Sequence, residues 1–87
     1  MSHLLIHHQV EDFTTWKQGY DDHKSVRDAA GLAELHLLQG AQDPNDVVIL
    51  FATDDLAKAR EFVFSDDLKQ TMARLGVVGI PTIVELQ

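Results

Sequence analysis

Apolar and polar positions along the chain change period several times, and each change marks an element. Residues 3–10 (HLLIHHQV) place Leu4, Ile6 and Val10 two apart, the period of a strand with one buried face. From Asp12 the period lengthens: Phe13, Trp16, Tyr20 and Val26 follow the three-to-four spacing of a helix with one apolar side. Asp12 is a suitable N-cap, and Gly31 a suitable left-handed stop, so one helix is expected from Phe13 to about Ala30. Residues 32–40 (LAELHLLQG) return to a strand pattern. Asp43-Pro44-Asn45-Asp46 is a turn, because Pro44 pre-sets φ and Asn45 tolerates the next position. Residues 47–53 (VVILFAT) are apolar on both faces, as in a central strand.

Thr53 or Asp54 can cap a second helical region carrying Leu56, Ala59, Phe62 and Val63 on one side. Ser65, followed by Asp66 and Asp67, has the character of another cap, so a break is expected there, with a further helical piece bearing Leu68, Met72 and Leu75 and ending at Gly76. Gly79-Ile80-Pro81 opens the last strand, which runs to about Gln87. Pro81 cannot donate to a ladder and belongs at a strand start or an edge. The order is β-α-β-β-α-β in one domain over residues 1–87. Right-handed crossovers then predict an α+β, ferredoxin-like βαββαβ fold, with an antiparallel sheet in order 4-1-3-2 and both helices on one face.

Splitting each strand by its period of two gives a nearly apolar side and a mixed one. The apolar sides are Leu4, Ile6 and Val10, with His8; Ala33, Leu35 and Leu37; and Ile80, Val84 and Leu86, with Thr82. These are expected to pack on the helices. The mixed side then collects Leu5, His7, Gln9, Glu34, His36, Leu38, Ile83 and Glu85. An apolar wall with a few placed polar groups is how small-molecule pockets look. A helix-free sheet face of this kind also calls for a partner, which a second copy across a two-fold axis supplies.

Composition narrows the picture. At 87 residues without a Cys, the chain has no disulfide to support a small core, which again favours association. Seven Lys and Arg, scattered singly against 14 acidic residues, give a net charge of −7 and no basic stripe, so no nucleic-acid partner is expected. No apolar run approaches the ~20 residues of a membrane span, and the first residues have no basic n-region. A cytoplasmic protein with no membrane partner is therefore expected.

Five His residues raise the question of a metal, but their spacing argues against one. His7 and His8 point to opposite faces. With one strand between them, His7 and His36 stand ~10 Å apart, and His3 and His7, four residues apart on a strand, about 13 Å. A shared metal needs ligand nitrogens at ~2 Å. Neither metal nor cofactor is expected. His7 with Glu85, on neighbouring strands, is the preferred acid–base pair, because a carboxylate orients an imidazole and raises its pKa. His36, with Glu34 two residues away, is read as pocket lining. Trp16 and Tyr20 are read first as core, and His23, on the same helix face, as a boundary residue near the pocket mouth. Phe64, before the Ser65 break, could act as a lid, and Arg27 and Arg60 are read as solvated helix-face charges.

Several segments together resemble the dimeric α/β-barrel superfamily, which includes antibiotic-biosynthesis monooxygenases, stress-responsive barrel proteins and small polyketide cyclases. They are the strand His3–Val10; Asp12-Phe13-x-x-Trp16-Lys17-x-x-Tyr20-Asp21-x-His23; the turn Asp43-Pro44-Asn45; Ser65-x-x-Leu68 with Met72; and Gly76-Val77-x-Gly79-x-Pro81. The resemblance covers nearly the whole chain. It implies a homodimer whose sheets close into a barrel, with a pocket in each protomer. The haem-degrading branch uses an Asn on an early strand, a strand Trp and a helix His. Here the only Trp is Trp16, on a helix, and the first strand has no Asn, although His23 could match the helix His. The quinone-forming monooxygenases of the superfamily likewise favour a strand Asn and Trp. Its small cyclases use His and Tyr, a role that His7, His23, His36 and Tyr20 leave open.

The expected function is that of a cofactor-independent enzyme (monooxygenase-, cyclase- or isomerase-like) acting on a small aromatic or polyketide-like molecule. His7, His36 and Glu85 would be catalytic, and Leu5, Gln9, Tyr20, His23, Glu34, Leu38 and Ile83 would bind substrate. The alternative is a non-catalytic ligand-binding or stress-associated dimer. An effector domain of a transcription factor ranks last, since the chain has no helix-turn-helix.

Overall fold

The computed structural model describes residues 1–87. Its elements are β1 (Ser2–Val10), α1 (Phe13–Asp22), α2 (Lys24–Ala29), β2 (Ala33–Gln39), β3 (Asp46–Thr53), α3 (Leu56–Val63), α4 (Asp66–Arg74) and β4 (Val77–Leu86). The four strands form one antiparallel sheet in the order β2-β3-β1-β4, the expected order read from its other edge. This is an α+β, ferredoxin-like fold. One layer of helices covers one sheet face, and the core lies between them. Leu4, Ile6 and Val10 of β1, Val47, Ile49 and Phe51 of β3, Trp16 and Tyr20 of α1, and Ala59 and Val63 of α3 are all buried there.

Local chemistry explains most of the boundaries. Asp12, in extended backbone, accepts from the Thr15 N–H at 3.0 Å and starts α1. Ser65 accepts from the Leu68 N–H at 3.2 Å and donates to the Phe62 carbonyl at 2.7 Å, so it caps α4 and holds the end of α3. Gly31 and Gly76 stop their helices at φ +79° and +87°, a region that side chains with a Cβ avoid.

Two boundaries differ from expectation. The cap of α3 is Asp55, which accepts from the Lys58 N–H at 3.1 Å. The Thr53 hydroxyl is spent one step earlier, accepting from the Asp55 N–H and donating to the Asp55 carbonyl. The first helix is also broken, at His23. At the break the Tyr20 carbonyl takes hydrogen bonds from the His23 N–H at 3.2 Å and from the Arg27 guanidinium at 2.5 Å.

The sheet carries two irregularities. In β2, Glu34 pairs with Phe51 and His36 with Leu50, so Leu35 is an extra residue between them. In β4, Thr82 pairs with His7 and Val78 with Gln9, leaving Gly79, Ile80 and Pro81 opposite His8. The last strand therefore begins at Val77, two residues before its expected opening. Pro81 lies where the ladder is interrupted on an edge strand, so its missing N–H costs no pairing.

Candidate functional site

The helix-free face holds Leu5, His7 and Gln9 from β1, Val48 and Leu50 from β3, His36 and Leu38 from β2, and Thr82, Val84 and Leu86 from β4. Leu38 is 58% exposed, Val84 38% and Leu86 37%, and Ile80, in the β4 irregularity, is 95% exposed. These values mark an apolar surface that no helix of this chain covers. His7 Nε2 lies 2.6 Å from Asp46 Oδ1, and Gln9 donates to Asp43 Oδ2 at 2.8 Å. The carboxylate beside His7 is thus Asp46.

The expected His7–Glu85 pair does not form. Glu85 pairs with Leu4, a core residue, across β1, and so lies on the helix side, where it accepts from Arg60 of α3. Ile83 pairs with Ile6 and packs against the core. The face assignment of β4 is reversed because its more apolar set, Ile80, Val84 and Leu86, lines the open face. Glu34 is also on the helix side, since the extra residue Leu35 flips it relative to His36. Tyr20 and His23 lie on the helix layer, so the sheet separates them from His7 and His36. One pocket cannot contain all the expected residues.

A second constellation lies between the sheet and the helices. A cavity of about 60 Å³ is bordered there by His8, Trp16, Tyr20, His23 and Arg27 on one side and by Phe62, Leu68, Thr71, Met72 and Leu75 on the other. His8 follows Leu4 and Ile6 on the inner face of β1. It is buried, its ring meets the Trp16 edge at 5.3 Å, and its Nδ1 has no hydrogen-bond partner. Burial holds this imidazole below the usual histidine range.

Trp16 stacks on Tyr20 at 4.8 Å, and the Arg27 guanidinium lies over the Tyr20 ring at 3.6 Å. The Tyr20 hydroxyl donates to Glu34 at 2.8 Å. Burial first, and then that bond, push the Tyr20 phenol above its ordinary pKa, so it stays protonated at neutral pH. Arg27 is buried, contrary to its reading as a solvated charge, while Val26 beside it is exposed. At the outer edge His23 stacks with Phe62 at 6.3 Å.

The sequence pattern by itself gives neither His8 nor Arg27 a chemical role, although it carries a signal for the burial of each. His8 has the strand parity of Leu4 and Ile6, and Arg27 continues the series Trp16, Tyr20, His23 at helical spacing. No three His, Asp or Glu side chains converge as a metal ligand set would. No helix is long and apolar enough to cross a membrane.

The sheet order and helical layer define the ferredoxin-like fold, and the solved structures that superpose on it include proteins named as antibiotic biosynthesis monooxygenases. An antibiotic biosynthesis monooxygenase superposes with a TM-score of 0.74 at 13% identity, covering 100% of this chain and 97% of its own. A provisionally named antibiotic biosynthesis monooxygenase from Bordetella bronchiseptica gives 0.80 at 12% identity, covering 99% and 94%. An uncharacterized NIPSNAP domain protein from Burkholderia xenovorans gives 0.69 at 14% identity, covering 100% and 93%. At such identities the likeness establishes the fold alone. No family model matches the sequence, and no curated protein matches it.

Proposed function

We propose that the protein is a homodimeric, cofactor-independent enzyme acting on a small aromatic or polyketide-like compound, with one site per protomer on the helix side of the sheet. The observation that carries this is His8. An unpartnered polar atom in a core costs roughly 1–3 kcal/mol, a large part of the 5–15 kcal/mol that holds a domain together. An aliphatic side chain at position 8 would avoid that cost, so a ligand partner is the reason we assign to the histidine. Burial keeps the ring neutral. With its proton on Nε2, the Nδ1 lone pair can accept a proton from an acidic O–H or C–H of the bound compound and return it to the product. That exchange is a step in cyclisation and isomerisation, and it also prepares an aromatic enolate for reaction with dioxygen. Trp16 and Tyr20 border the cavity with apolar rings. Tyr20 is a wall and not a base, because its hydroxyl is committed to Glu34.

A second reading rests on the pair His7–Asp46 at 2.6 Å. If two open faces close on each other, His7, His36, Leu5, Gln9 and Leu38 line the space between the sheets, and His7 becomes the base. Product formation from a panel of hydroxylated polyketide-type aromatics separates the two readings. His8→Gln is expected to lower turnover by ~100-fold with little change in affinity, and His7→Gln and His36→Gln to leave it near wild type. Loss of turnover in His7→Gln with a fully active His8→Gln would transfer the site to the dimer interior. A wild type that binds these compounds without converting any of them would establish a binder.

A further inference from the structure

We propose that the helix-side cavity takes a planar aromatic carboxylate, with its charge on Arg27, its ring along Trp16 and Tyr20, and a second hydrogen-bonding group at its far end on His8. The inference rests on the helix-side reading above and adds the chemical class of the ligand. It stands on two buried polar side chains at one cavity: His8, whose Nδ1 has no partner, and Arg27, whose guanidinium pairs with no carboxylate. Arg27 is 8% exposed and His8 6%. A guanidinium offers five N–H donors in a fork suited to a carboxylate. Only one of its nitrogens makes a hydrogen bond here, to the Tyr20 carbonyl at 2.5 Å, and no carboxylate forms an ion pair with it.

The acidic residues nearby are otherwise engaged. Asp21 and Asp28, on the helices that flank the break, hold Lys17 and Lys24 at 2.6 and 2.8 Å. Glu34 takes the Tyr20 hydroxyl. The Tyr20 ring face offsets only part of the cost of burying a cation. At the other end of the aromatic row, His8 Nδ1 is the one buried side-chain nitrogen or oxygen without a partner. The row runs His8, Trp16, Tyr20, Arg27, with successive separations of 5.3, 4.8 and 3.6 Å. A ligand with polar groups at opposite ends of one ring satisfies both ends of that row.

The cavity of about 60 Å³ is smaller than the roughly 150 Å³ of an apolar cavity that admits benzene. Entry therefore requires one wall to move. Leu68, Thr71 and Met72, which border the cavity, come from α4, and α4 contributes no fully buried residue to the core. It is the wall we expect to move.

The test is an NMR titration of the full chain with 4-hydroxybenzoate and with its uncharged methyl ester, following the Trp16 indole and the His8 ring. The acid is expected to bind at least about tenfold more tightly than the ester. Arg27→Met should abolish that preference and Arg27→Lys should keep much of it. If Arg27→Met fails to fold, the wild-type and Arg27→Lys comparisons decide alone. An ester that binds as tightly as the acid overturns the charge assignment and leaves the helix-side site standing. No shift at Trp16 or His8 with either probe at millimolar concentration overturns both.

Discussion

His8 occupies a place on the inner face of β1 that a leucine would fill without an orphaned nitrogen. Changing His8 to Leu is expected to raise stability at neutral pH by about 1 kcal/mol while abolishing turnover, as a functional group held at a structural cost would. Chemical denaturation beside a product assay reads both effects, and a markedly destabilised His8→Leu would show that the histidine supports the core. The same residue sets a pH dependence. Its folded pKa is lowered from 6.5 by burial, so between 6.5 and that lower value the unfolded chain binds more protons than the folded one. Its contribution is complete above pH 6.5 and is lost as the pH falls from 6.5 through the folded value. Melting temperatures at several pH values between 7.5 and 5 should fall more steeply for wild type than for His8→Leu. Parallel curves would mean that His8 does not carry the effect.

Both helical segments are interrupted, α1 from α2 at His23 and α3 from α4 just before Ser65. His23 and Phe62 stack at the outer edge of the cavity, each at or near one of these breaks. The Ser65 hydroxyl ties the second break together by serving α3 and α4 at once. Ser65→Ala should cost about 1 kcal/mol. Its signature should be faster amide exchange in α4, with β1 and β3 unchanged, and uniform acceleration across the sheet would count against a local role. Gly19 of α1 has a related part. A Cβ there would come within 2.1 Å of Leu75, so the glycine lets the residue that ends α4 seat directly on α1.

For the whole molecule, the decisive feature is a sheet covered on one side only. Leu38, Val84 and Leu86, with Ile80 beyond them, leave apolar side chains exposed on the uncovered face, the kind of surface that marks an association site. A second copy is the proposed cover. Wild type should sediment near twice the 9.7 kDa chain mass, and Val84→Glu, which places a charge in that face, should shift it toward the monomer. A wild type that stays monomeric and well folded in dilute solution would remove the barrel and, with it, the reading that puts His7 at a shared pocket.

What the sequence determined by itself was local. The type and order of the elements followed from periodicity, the break at His23 apart, and the caps at Asp12 and Ser65 and the stops at Gly31 and Gly76 from hydrogen bonding and φ. The sheet order then followed from the crossover rule. Side-chain direction did not follow in the same way. The extra residue at Leu35 reverses Glu34 against His36, and nothing local announces it. Hydrophobicity alone sends the apolar set of β4 to the helices, whereas the structure turns it to the open face. Where an open sheet face is also apolar, hydrophobicity cannot say which of two faces the helices cover. Arg27 needed the break at His23, whose freed geometry turns the guanidinium under the helix and onto Tyr20. The candidate site thus depended on tertiary structure, because it is made by a broken helix and also by register and an irregular strand, which are decided by pairing between residues far apart in the chain.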